Sequence, residues 1–62
     1  MTPDPFTLAG KTILITGASS GIGRATAIAC SKRGATLIVS GRDQARLDET
    51  LGSLEGTGHR AI

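Results

Sequence analysis

The sequence predicts an α/β fold, the N-terminal β-α-β-α-β(start) part of a doubly wound parallel sheet. Three observations carry that expectation. Two short runs rich in branched apolar side chains, Thr12-Ile13-Leu14-Ile15 and Thr36-Leu37-Ile38-Val39-Ser40, are continuous rather than alternating. Such runs suit strands covered on both faces. A helix-compatible segment follows each run. Three glycines, Gly17, Gly21 and Gly23, stand between the first run and its helix, where the backbone must bend tightly.

The elements follow in order. Met1 to Thr7 holds two prolines and little to bury, and reads as a loose arm (residues 1–7) before a single domain (residues 8–62). Gly10 permits a turn into a strand over Lys11–Thr16. A helix is expected from Gly23 or Arg24 to Arg33, where Ala25, Ala27 and Ala29 are strong helix formers. Its buried side is expected to carry Ile22, Ala25, Ile28 and Ala29. Lys32 and Arg33 suit the negative end of the helix dipole, and Gly34 suits a left-handed residue just past the end.

After the second strand, Asp43 can cap a second helix by accepting from a free N–H. Leu47, Leu51 and Leu54 recur there at i, i+4 and i+7, so one face is apolar. Gly52 weakens this helix by about 1 kcal/mol relative to alanine, and Gly56-Thr57-Gly58 ends it. His59-Arg60-Ala61-Ile62 reads as the start of a third strand. Alternating strands and helices give a parallel sheet with right-handed crossovers.

A chain of 62 residues makes at most one small domain and buries only about 60% of the surface its unfolded form exposes. One cysteine, Cys30, and one histidine, His59, supply neither an internal disulfide nor a metal-ligand pair. In a doubly wound sheet the first strand is central, so stopping at Ile62 would leave it as an apolar edge. The expectation is a truncated dinucleotide-binding domain, part of a larger protein.

Seven scattered basic residues against five acidic ones give a formal charge of +2, and Phe6 is the only aromatic. A nucleic-acid surface would show a basic stripe and stacking rings, so no nucleic-acid partner is expected. No run approaches the roughly 20 apolar residues of a membrane span, and Met1-Thr2-Pro3-Asp4-Pro5 does not resemble a signal peptide. A cytoplasmic protein without a membrane partner is expected. Cys30 reads as a small buried apolar residue, and His59 as a solvated residue at a strand edge with no role.

A strand, a glycine-rich turn and a helix in that order make a phosphate site. The glycines let the backbone approach the ligand, and the helix start offers unpaired N–H groups and a positive dipole end. Gly17 and Gly21 suit the turn and close approach, and Gly23 lets the helix pack near the strand. Ser19 and Ser20 offer hydroxyls and N–H groups. The other phosphate-loop pattern, G-x-x-x-x-G-K-[ST], meets Gly10-Lys11-Thr12, but Pro5 replaces its first glycine and the segment precedes the strand.

Thr16-Gly17-Ala18-Ser19-Ser20-Gly21-Ile22-Gly23 resembles the TGxxxGxG motif of the short-chain dehydrogenase/reductase family, whose fold is of Rossmann type. Leu8-x-Gly10-Lys11 and Arg33-Gly34-Ala35 are similar to that family too, so the resemblance extends from Phe6 onward. It implies a nicotinamide cofactor and hydride transfer to or from a carbonyl or alcohol carbon. It also implies homo-oligomers, and a catalytic Ser, Tyr and Lys well downstream of the glycine motif. The sequence has no tyrosine, so no catalytic residue carries over. The cofactor-binding positions that do are Gly17, Ser19, Ser20, Gly21, Ile22 and Gly23.

NAD-using relatives place a carboxylate at the end of the second strand, on the ribose 2′-OH. Here that place is Ser40-Gly41, and Arg42 follows. A guanidinium fork pairs with phosphate oxygens, so NADP(H) is expected over NAD(H). Asp43 opposes this only if its carboxylate faces the phosphate. Arg24 reads as a solvated first-turn residue rather than a pyrophosphate ligand. Two functions stay open: the NADP(H)-binding portion of an oxidoreductase, or a non-catalytic nucleotide-binding or regulatory module complete at this length.

Overall fold

Parallel pairing of two four-residue strands organises the chain. A computed structural model describes residues 7–62. The expected loose arm falls outside the described residues except for Thr7. The elements are β1 (Thr12–Ile15), α1 (Gly21–Lys32), β2 (Thr36–Val39), α2 (Gln44–Ser53) and β3 (Arg60–Ala61). The sheet order is β1-β2-β3. Thr12 pairs in register with Thr36 and Ile15 with Val39. Ile38 pairs with Arg60 and Val39 with Ala61. This is the expected β-α-β-α-β arrangement with a parallel sheet.

Because the order is monotonic and the crossovers share one hand, α1 and α2 cover the same face of the sheet. Leu37 and Val39 of β2 point to that face and are fully buried, with Ala18, Ala27, Ala35 and Leu47. Ile13 and Ile15 pack partly against the same cluster. The alternate positions point the other way, and Leu14 is 58% exposed. The expectation of strands covered on both faces is therefore corrected for the described residues: one face is covered.

Helix α1 begins at Gly21, earlier than expected, so the last three residues of the glycine motif form its first turn. Its buried side is also corrected. Ala27 and Ser31 are buried, whereas Ala25 and Ala29 are exposed and Ile22 is 86% exposed. The reason lies at Gly23. A Cβ there would overlap the Gly17 carbonyl oxygen and lie 2.8 Å from the Gly17 carbonyl carbon. This close approach turns the Gly23 side of α1 inward, and positions 27 and 31 lie on the same stripe.

The C-terminus of α1 and the N-terminus of α2 are satisfied as the sequence indicates, whereas α2 ends at Ser53, before the expected Gly56-Thr57-Gly58 stop. Gly34 N–H donates to Ser31 O and Ala35 N–H to Cys30 O, which is the Schellman arrangement; Gly34 has a φ of 98°. The Asp43 carboxylate accepts from Arg46 N–H at 3.1 Å and caps α2. Ser31, only 4% exposed, ties the two halves together. Its hydroxyl donates to Ile28 O and accepts from Glu55 N–H.

His59 is not the free edge residue expected. Its Nδ1 accepts from Leu37 N–H at 3.0 Å, and Nε2 pairs with Glu55 O. The N–H groups of Thr36 and Ser40 point toward β1, so Leu37 N–H points toward β3. The third strand begins only at Arg60, two residues after Gly58, whose carbonyl the parallel register would otherwise set there. The imidazole takes that place in the ladder.

Candidate functional site: a cleft between the glycine turn and the end of β2

The turn after β1 and the loop after β2 lie side by side because the ladder continues past both strands. Ser40 N–H donates to Ile15 O at 3.0 Å, and Ala18 N–H donates to Ser40 O at 2.8 Å. Gly17 and Gly21 adopt left-handed φ values of 67° and 63°, which side chains resist. Between the two loops opens a cleft of about 480 Å³ lined by Gly17, Ser19, Ser20, Ser40, Gly41 and Arg42.

Four of the residues singled out from sequence, Gly17, Ser19, Ser20 and Arg42, line this cleft. The other three do not. Gly21, Ile22 and Gly23 form the opening of α1 behind it. Gly21 supplies the turn, Gly23 the close helix approach, and the Ile22 side chain points to solvent. Ser40 and Gly41 line the cleft although neither was expected to contribute a binding group. Gly41 is there for space, since a Cβ on it would lie 2.9 Å from Ser19 Cβ and 3.1 Å from Ser19 N.

The electrostatics of the cleft favour an anion. Ser20 is the N-cap of α1, yet its side chain makes no capping hydrogen bond, and the first turn holds no acidic residue. The positive end of the α1 dipole is therefore unopposed. Among the described residues Arg42 has no carboxylate partner. Asp43 is engaged elsewhere, with Oδ1 on Arg46 N–H and Oδ2 3.6 Å from Arg46 Nε. Arg24 lies 3.6 Å from Glu49 of α2, a largely exposed pair contributing about 0–1 kcal/mol.

The cleft offers hydroxyls, backbone groups and one guanidinium. Among the described residues lining it, Arg42 is the only charged group. Among the described residues no cluster of His, Cys, Asp or Glu could hold a metal ion, and no helix is long and apolar enough to cross a membrane. One residue behind the cleft escaped the reading of the sequence. Thr50 is fully buried and its hydroxyl donates to Ala18 O at 2.8 Å. The available signal was a lone polar residue beside Leu47 and Leu51 on the apolar face of α2.

Residues 11–62 match the family model for short chain dehydrogenase. Mouse (Mus musculus) retinol dehydrogenase 14 is 53% identical over 51 residues, which cover 82% of this chain and 15% of that protein. The crystal structure of the short chain dehydrogenase from Shigella flexneri superposes with a TM-score of 0.86 at 33% identity, covering 98% of this chain and 25% of that one. The Pseudomonas aeruginosa RhlG/NADP active-site complex superposes with a TM-score of 0.78 at 36% identity, covering 92% of this chain and 23% of that one. The chain thus spans a quarter or less of the length of these proteins. It belongs to the short-chain dehydrogenase family.

Proposed function

We propose that this chain is the NADP(H)-binding portion of an oxidoreductase that transfers hydride between nicotinamide and a small carbonyl or alcohol substrate. One observation carries the reading. The N-terminus of α1 and the Arg42 guanidinium border one cleft, and among the described residues no carboxylate neutralises either. A dinucleotide with a 2′-phosphate has two anionic groups to match them. The pyrophosphate suits the start of α1, where Gly17 and Ser20 line the cleft and Gly21, Ile22 and Gly23 open the helix behind them. The 2′-phosphate suits Arg42, with Ser19 beside it.

The bound nicotinamide would supply or accept the hydride. The residues here bind and orient the adenosine end, and the sequence has no tyrosine to complete the catalytic set of the family. A relative solved as an NADP complex supports the choice of cofactor. The same reading includes a cytoplasmic homo-oligomer without a nucleic-acid partner, for which the support is the family resemblance and the scatter of basic residues.

Calorimetric titration of the full-length protein with NADPH and NADH tests the proposal. NADPH is expected to bind more tightly, by about 10- to 150-fold for a charge-assisted hydrogen bond. Equal affinities would overturn the choice of cofactor, and no binding of either would overturn the function. NADPH binding without turnover on any carbonyl substrate would support the non-catalytic alternative.

A further inference from the structure

Thr50 poses a question that core packing does not answer, because valine would fill the same space. It is fully buried on the apolar face of α2. Its Oγ1 donates to Ala18 O at 2.8 Å and lies 3.1 Å from Arg46 O in its own helix. Bonding to the carbonyl four residues back would have satisfied the hydroxyl without reaching outside the helix. The shorter contact goes instead to the glycine turn.

Ala18 is held from two sides. Its N–H donates to Ser40 O at the end of β2, and its carbonyl accepts from Thr50. A trans peptide group points its C=O and N–H in opposite directions, and the described chain has no cis peptide bonds. The Ala18 carbonyl is turned inward onto Thr50, so the Ser19 N–H of the same peptide is turned outward. Ser19 and Gly41 both line the cleft, and Ser19 N lies 3.1 Å from where a Gly41 Cβ would sit. Among the described residues no protein acceptor takes that N–H.

We propose that Thr50 is a positioning residue for cofactor binding. Its hydroxyl fixes the Ala18–Ser19 peptide plane so that Ser19 N–H donates into the cleft, to the phosphate held beside Gly41 and Arg42. This rests on the reading of the cleft as an NADP(H) site. Without the hydroxyl, the Ala18 carbonyl is buried without a partner, which is costly. Rotation of the peptide toward water relieves that cost. The same rotation puts a carbonyl oxygen where the phosphate needs a donor, so the effect exceeds the loss of one hydrogen bond.

Thr50→Val and Thr50→Ser are compared with the wild type in the full-length protein, reading NADPH and NADH affinities by calorimetry and Tm by calorimetric scan. Thr50→Val is expected to weaken NADPH binding by about tenfold or more and to leave NADH binding nearly unchanged. Thr50→Ser is expected to restore NADPH binding. If Thr50→Val fails to fold, Thr50→Ser and Thr50→Ala give the same reading, since they differ only by the hydroxyl. NADPH selectivity that survives loss of the hydroxyl overturns the role of Thr50 and leaves the cofactor reading standing. Equal weakening of NADPH and NADH with a lower Tm marks a structural role only and also overturns it. A wild-type protein that binds neither nucleotide overturns both.

Discussion

Ser19 and Gly41 meet so closely that a Cβ on Gly41 would lie 2.9 Å from Ser19 Cβ and 3.0 Å from Ser19 Oγ. The contact joins the glycine turn to the end of β2 at the rim of the cleft. It also sets a condition on changing cofactor. The obvious route to NADH is a carboxylate at the end of β2, on the ribose 2′-OH. Here that carboxylate would need a Cβ in space that Ser19 occupies.

Gly41→Asp alone is therefore expected to lower NADPH affinity without raising NADH affinity. Gly41→Ala separates bulk from charge and is expected to cost about 1–3 kcal/mol of stability, the usual range for overpacking. Calorimetric titrations and thermal unfolding of both variants check this. An NADH affinity gained by Gly41→Asp would show that Ser19 yields easily.

His59 completes the sheet with a side chain instead of a backbone group. His59→Ala removes the acceptor of Leu37 N–H at a fully buried residue and is expected to cost about 1–3 kcal/mol. His59→Asn, whose amide oxygen can stand near the place of Nδ1, is expected to recover part of that. Amide exchange at Leu37 reports the bond directly: fast in the alanine variant, slow in the wild type.

Asp43 is separated in function from its neighbour Arg42. Its carboxylate caps α2, so Asp43→Ala is expected to cost about 0.5–2 kcal/mol of stability. NADPH affinity is expected to hold or to rise, because a negative charge near the phosphate is removed. A lower NADPH affinity in a variant that still folds would place the carboxylate in the site.

The order of elements was legible because the two apolar runs and the Leu47, Leu51, Leu54 stripe are local patterns. The Asp43 cap and the Gly34 stop were legible for the same reason. The inward side of α1 was not. Ile22 and Ala25 are more apolar than Gly23, so periodicity favoured them, while the structure turns on how closely Gly23 approaches Gly17. Such an approach depends on the absence of an atom and leaves no hydrophobic trace. The cleft was half legible. Gly17, Ser19, Ser20 and Arg42 follow from a motif and a spacing. Gly41 and Thr50 act across 22 and 32 residues of sequence, on Ser19 and on the Ala18 carbonyl, and only the folded chain brings them there. The role of His59 depended on where β3 begins, and strand starts are poorly marked in sequence.

Whether the cleft takes a nicotinamide dinucleotide with its 2′-phosphate on Arg42 is decided by one comparison. NADPH and NADH dissociation constants are measured for the full-length protein and for its Arg42→Ala variant under identical ionic strength. The variant is expected to lose about 10- to 150-fold in NADPH affinity and to keep its NADH affinity, so the two cofactors converge. Losses of equal size for both, or no loss for NADPH, would contradict that placement of the 2′-phosphate.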